Sequence, residues 1–349
     1  MGSMEKSEIL LSVVVPARNE ADCVGACLRS LVAQSEVGFE LGREWELIVV
    51  DDDSGDGTRG IAEGFAGVTV MSAPALDLSA RGGFTGKTNA VWAGAQASRG
   101  RWILFTDADT VHETGDLSRA IHEAEKYEVA MLSYSPRQIV GSLAERVLMP
   151  LVFAELANVY PPKKVSDPAY KVAAANGQFL LVARQDYFDL GGHRGVSAAV
   201  LEDVALAEKF KRAGRGIRFR YGGDAVSARM YRTTAAMVEG WTKNLALLFP
   251  QPLALALVRA VEFALIYGIP VLMFALPMMV GRQRLFLALV WLLMSVRRFY
   301  VRVAKSKFGF VDCALSIFGL PVFLWLLVRS WHRVKVRKRV GWKGREYRV

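Results

Sequence analysis

Two acidic turns, Asp51-Asp52-Asp53 and Asp107-Ala108-Asp109, each follow directly on a short, mostly apolar run: Trp45–Val50 (WELIVV) and Trp102–Phe105 (WILF). Leu10–Val15 (LLSVVV) and Val68–Met71 are two more runs of this kind. A strand apolar on both faces has to be covered on both faces, which is how strands of a parallel sheet read. The intervening segments predict helices at Glu20–Gln34, with Asn19 as its cap, at Thr58–Phe65 and at Thr88–Ser98. This alternation predicts an α/β fold: an open, mostly parallel sheet flanked by helices. In such sheets ligands bind in the crevice beyond the C-terminal strand ends. The acidic turns sit there, which makes them site candidates rather than scattered surface charge.

The net charge of +10 would suit either nucleic acid or an anionic membrane. Its distribution decides between them. Residues 1–280 sum to −4 and residues 281–349 to +14. An acidic body argues against nucleic acid as a partner. Three cysteines in 349 residues exclude a disulfide scaffold and suggest a reducing compartment.

The basic excess lies beside three charge-free runs: Phe263–Val280, Leu285–Val296 and Cys313–Val328. A membrane-spanning helix needs about 20 mostly apolar residues. The first run meets that, more so with Leu253–Glu262 added, and the third does once Phe308–Asp312 is included. The second is too short, so a re-entrant or interfacial helix is expected there. The positive-inside rule puts the tail from Arg329 onward on the cytoplasmic side. With a cytoplasmic body, two crossings plus that short segment, or four in all, are expected of this multi-pass inner-membrane chain. Met1–Glu8 is polar and Ile9–Val15 is too short for a secretory leader. The organisation predicted is an N-terminal extension (1–10), a catalytic domain (11–245), membrane helices (246–328) and a basic tail (329–349).

Paired carboxylates at i and i+2, as in Asp107-x-Asp109, can hold a hard divalent cation and leave room for phosphate oxygens. Alone the pattern is weak. Its strength here is the ordered set VVVPARNEA (13–21), VVDDDSGDGT (49–58), GKTNA (86–90), FTDADT (105–110) and LEDVALAEKFKRAG (201–214).

This set resembles that of family 2 glycosyltransferases of the GT-A fold, over roughly residues 11–245. The resemblance implies a Rossmann-like sheet and an inverting, metal-dependent transfer of sugar from a nucleotide sugar, UDP-linked. It implies that Asp51 accepts from the base and Asp53 lies near the ribose, with Pro16, Arg18 and Glu20 lining the nucleotide pocket. Lys87 would neutralise the pyrophosphate, and Asp107 and Asp109 would hold it through Mn²⁺ or Mg²⁺. In the pair Glu202-Asp203, Asp203 would be the general base for the acceptor hydroxyl. Gln178, Gly192 and His193 match the acceptor-side region. Trp241 and Lys243 (GWTKN) stand where many relatives carry Gln-x-x-Arg-Trp; the departure leaves Arg229 and Arg232 as alternative diphosphate partners.

The ending Trp342-Lys343-Gly344-Arg345-Glu346-Tyr347 resembles those of lipid-directed enzymes of the ceramide, carotenoid and hopanoid type, implying a lipid acceptor and a role for Trp342 and Arg345. The plainer reading is an interfacial anchor. A polyprenyl-phosphate glycosyltransferase and a short polysaccharide synthase are rivals within the class; an inactive membrane scaffold is the rival outside it. Gly82–Thr88 comes close to a phosphate-binding loop, but G-x-x-x-x-G-K-[ST] requires glycine where Arg81 stands. Cys23 and Cys27 have no partner residues at metal-ligand spacing and are expected to pack.

Overall fold

The computed structural model describes residues 9–34, 36–76, 85–275, 282–342 and 345–348, the side chains of 273–275, 282–283, 340, 342 and 345–348 excepted. Two compact units emerge: residues 1–139 with 160–230, and residues 140–159 with 231–349. The segments 140–159 and 231–245 fall in the second unit.

The first unit is built on ten strands: β1 (Leu11–Ala17), β2 (Trp45–Asp51), β3 (Val68–Ser72), β4 (Trp102–Phe105), β5 (Thr110–His112), β6 (Met131–Ser135), β7 (Arg137–Gln138), β8 (Leu180–Ala183), β9 (Ile217–Tyr221) and β10 (Val226–Ala228). Seven form the main sheet, in the order β3-β2-β1-β4-β8-β6-β9. Pairing is parallel throughout except on the two sides of β8. This is the mostly parallel α/β sheet that the apolar runs predict. Strand β1 shows why its sequence is apolar without a break. Val13 and Val15 pack on one face with Leu28 and Leu31 of the helix Val24–Val32. Val14 packs on the other with Ala90 and Val91 of the helix Gly86–Ala97 and with Leu206 and Phe210 of the helix Glu202–Arg212. The three remaining strands make a small sheet, β5-β10-β7.

The expected cap at Asn19 is corrected. The first helix begins at Val24, and Asn19 takes a left-handed conformation (φ 53°). Its side chain accepts the Gly55 N–H at 2.9 Å, and its own N–H donates to Ser54 Oγ at 3.0 Å. Asn19 therefore staples the loop after β1 to the loop after β2, a local use of Asn that competes with capping.

The second unit is helical. Among the described residues, two of its helices, Pro252–Leu272 and Phe310–Val336, are long and apolar enough to cross a membrane, with mean hydropathies of 1.9 and 2.2. The first starts well before the charge-free run, as extension through Leu253–Glu262 anticipated. The helix Arg282–Val303 carries the short middle run; Phe286, Trp291 and Leu293 on it are exposed. The chain closes with a hairpin pairing Arg339–Trp342 with Arg345–Arg348.

Candidate active site

Every strand end flagged by the sequence delivers its polar residues to one edge of the main sheet. Lys87 occupies the first turn of the helix Gly86–Ala97, whose start is capped by the Thr85 hydroxyl accepting the Thr88 N–H at 3.2 Å. Its Nζ lies 2.8 Å from Asp107 Oδ1 and 3.2 Å from Glu202 Oε1. Burial alone would pull this ammonium down, but Asp107 and Glu202, with Asp203 behind them, hold it well above the ordinary lysine range. Lys87 is thus a fixed positive charge beside the carboxylate turn.

Asp203, in the first turn of the helix Glu202–Arg212, accepts the backbone N–H of Gly177 at 2.9 Å and that of Val204 at 2.8 Å. Burial, then the adjacent Glu202 charge, push its carboxyl up to about 6. Asp109 is pushed up further, to about 7, by burial and then by Asp107 and Glu20. The Gln178 amide donates to both of its oxygens, at 3.3 and 3.4 Å. One cavity is lined by Pro16, Lys87, Asp107, Gly177, Glu202 and Asp203, with His193, Val91, Phe105 and Leu180 supplying its less polar wall.

The base-side loops are joined to each other. Arg18 donates to the carbonyls of Asp52 and Asp53 and ion-pairs with Asp53 at 3.7 Å. Glu20 N–H donates to Thr58 Oγ1 at 2.8 Å. Asp51, at the end of β2, is buried, and its Oδ1 takes no hydrogen bond from the described residues. A buried acceptor without a donor costs free energy unless a ligand satisfies it. Asp53 is exposed.

Other residues singled out by the sequence fall in different settings. His193 is buried, with Nδ1 at 2.9 Å from the Tyr187 hydroxyl, and burial, then Lys87, hold its ring down at about 3, so it is a neutral part of the wall. Gly192 beside it has φ 47°, and a Cβ there would strike the Tyr187 ring at 2.5 Å. Arg229 reaches the carboxylate turn through its backbone, its N–H donating to Asp109 O at 3.3 Å. In the second unit Trp241 is 2 % exposed and packs edge-on against Phe153 and Tyr231, so it is a packing residue there. Lys243 is half-buried and Arg232 exposed in the same unit. Trp342 pairs with Arg345 across the final hairpin by backbone, and both side chains lie outside the described residues, as do residues 82–84 and 343–344.

One contributor carries no motif: Gln138 donates to Gln178 Oε1 at 3.2 Å and so supports the amide that holds Asp109. Gly177, in the acceptor-side turn Asn176-Gly177-Gln178, leaves the space between Lys87 and Asp203 open. Among the described residues, no group of three or more His, Cys, Asp or Glu side chains could hold a metal unaided.

The family model described as glycosyl transferase family 2 matches residues 12–187. The chain is similar to 4,4'-diaponeurosporenoate glycosyltransferase of Staphylococcus aureus, with 25% identity over 352 residues covering 97% of this chain and 88% of that one. It is similar to the protein of the same name from Staphylococcus haemolyticus, with 26% identity over 353 residues and the same coverage. Among solved structures, a mannosyltransferase from Pyrobaculum calidifontis in complex with GDP-Man and Mn²⁺ aligns at a TM-score of 0.49 and 16% identity, covering 94% of this chain and 87% of that one.

Proposed function

The chain belongs to glycosyl transferase family 2, and from that premise we propose that it moves a sugar from a UDP-linked donor to a hydroxyl of a membrane lipid, with inversion at the anomeric carbon. The observation that carries this reading is a cavity lined by Lys87 and Asp107 together with Glu202 and Asp203. It pairs a fixed cation, suited to a diphosphate, with a carboxylate suited to taking a proton.

In this reading Asp51 Oδ1, buried without a donor, accepts from the nucleotide base, and Lys87 stabilises the departing diphosphate electrostatically. Asp203 accepts the proton of the acceptor hydroxyl as the new C1–O bond forms and the C1–O bond to phosphate breaks. Attack from the side opposite the leaving group inverts the centre, giving a β-linked product from an α-linked donor. Glu202 positions Lys87 and keeps the Asp203 carboxyl high enough to act as a base near neutrality.

A divalent cation suits the carboxylate turn. Burial, and then the charges of Asp107 and Glu20, raise Asp109 to about 7, and carboxylate oxygens suit Mn²⁺ or Mg²⁺. Asp107 and Asp109 would hold it, and bound there it would add positive charge next to the diphosphate.

The lipid acceptor is supported by the two apolar helices and by the relatives' name, which pairs glycosyl transfer with 4,4'-diaponeurosporenoate. The two helices also suit two crossings, with body and basic tail on the cytoplasmic side. The test is incubation of membranes containing the chain with a panel of UDP- and GDP-sugars, then mass spectrometry of the lipid extract. A hexose increment on a lipid, β-linked by NMR, is expected with a UDP-sugar. Sugar appearing only on soluble acceptors, or an α linkage, sinks the proposal.

A further inference from the structure

Beneath the carboxylate turn lies a closed polar network that the proposed chemistry leaves unused. Its centre is His112, on β5, whose side chain no solvent reaches. Its Nδ1 is 2.7 Å from Asp116 Oδ2, on a side chain equally shut off from solvent. Its Nε2 faces two hydroxyls, Thr106 Oγ1 at 3.0 Å and Thr110 Oγ1 at 3.3 Å.

Each threonine hydroxyl has one hydrogen to give. Thr106 gives its hydrogen to the carbonyl of Gln178 at 2.8 Å, and Thr110 gives its own to the carbonyl of Asp107 at 2.7 Å. The two hydroxyl oxygens also lie 3.0 Å from each other, so both threonines and Nε2 form one closed set of contacts. Nδ1 faces the Asp116 carboxylate and donates to it, at a site no solvent reaches. The ring is therefore bonded at both ends.

The consequence lies at the two carbonyls. Thr106 and Thr110 bracket Asp107 and Asp109, and through them the ring fixes the carbonyl of Asp107 and that of Gln178, whose amide holds Asp109. Ser30 adds a further tie, its hydroxyl accepting the His112 backbone N–H at 3.0 Å. We propose that His112 is a positioning residue for sugar transfer: bonded at both ring nitrogens, it joins Asp116 to the Thr106–Thr110 turn and sets where Asp107 and Asp109 present their carboxylates to the donor diphosphate. This rests on the sugar-transfer reading above.

The test uses the purified full chain in detergent, with UDP plus MnCl₂ as the probe in titration calorimetry. Thermal unfolding is followed in parallel. His112→Gln, which lacks the two opposed ring nitrogens, should weaken manganese-dependent UDP binding by about 10- to 100-fold, the range typical of residues that orient metal ligands. Thr110→Val, which keeps the size of the side chain and loses the tie to Asp107, should weaken it in the same sense while the chain stays folded at the temperature of the titration. Selective ¹⁵N-histidine NMR should find a hydrogen on Nδ1 of His112, shared with Asp116. UDP binding unchanged in both variants, or no hydrogen on Nδ1 of His112, overturns the proposal. An unsubstituted chain that binds neither UDP nor GDP with manganese overturns the sugar-transfer reading itself, a result distinct from either of these.

Discussion

Gly177 donates its backbone N–H to Asp203 Oδ2 across 2.9 Å, so the proposed base is held by a residue that has no side chain to intrude on it. A Cβ at this position would lie 3.1 Å from Lys87 Nζ, 3.7 Å from Asp203 Oδ2 and 3.8 Å from Glu202 Oε1. Gly177→Ala should therefore displace Lys87 while leaving the sheet intact. The expected result is a fall in kcat/KM of about 10- to 100-fold, in line with the cost of small misplacements at a reacting centre. Steady-state kinetics beside a melting curve checks it; an unchanged rate would mean that the Lys87 position is immaterial.

The elevated carboxyl of Asp203 sets a pH dependence. A base works only when deprotonated, so with its carboxyl at about 6 the rate should fall as pH drops through 6 and level off above it. Glu202 contributes to that elevation, so Glu202→Gln should shift the acid limb to lower pH, whatever it does to the plateau. Asp203→Asn should abolish turnover and keep UDP binding. An acid limb in the same place in Glu202→Gln would show that another group sets it.

Asp109 leads to a prediction about the cation. Without one its carboxyl stands at about 7, so below that pH protons compete with the metal. Apparent Mn²⁺ affinity should weaken by about tenfold per pH unit below 7, with proton release measurable by calorimetry in buffers of different ionisation enthalpy. EDTA should abolish transfer, and Mn²⁺ or Mg²⁺ should restore it. Full activity in EDTA would remove the cation from the scheme.

What the sequence made legible follows from contiguity. Asp51 ends its strand, and Asp107 and Asp109 lie within four residues of the end of theirs, so an apolar run and the turn that stops it are read together. Lys87 and Asp203 were legible only through the resemblance of GKTNA and LEDVALAEKFKRAG to a family's motifs; each lies in the first turn of a helix. Gln138 was not, because it reaches Gln178, 40 residues on, through the small sheet in which β7 pairs with β10. His112 was missed because its partners Thr106, Thr110 and Asp116 read as ordinary turn and helix residues until β5 folds back under the turn. Asn19 misled in the opposite direction: its preference for helix starts is local, and its contact with Gly55 is not.

The second unit contains four charges that an apolar helical region would be expected to exclude. Arg302 lies 2.5 Å from Glu155 and 2.5 Å from Glu262, Arg259 lies 2.7 Å from Glu262, and the fourth side of the ring, Arg259 to Glu155, is 3.6 Å. All four side chains are nearly buried, and Arg259 and Glu262 belong to one of the helices long enough to cross a membrane. Charge at membrane depth is tolerated only when it faces inward and is paired, and this ring is neutral overall. It ties three helices together, Leu143–Val159, Pro252–Phe263 and Arg282–Val303. Removing one member leaves a buried charge without its partner, which costs about 3–5 kcal/mol. Arg302→Met should therefore lower the unfolding temperature in detergent, and Glu155→Gln added to it should recover part of the loss by removing the stranded carboxylate. A double variant no more stable than Arg302→Met alone would mean that packing, and not charge pairing, is what Arg302 supplies.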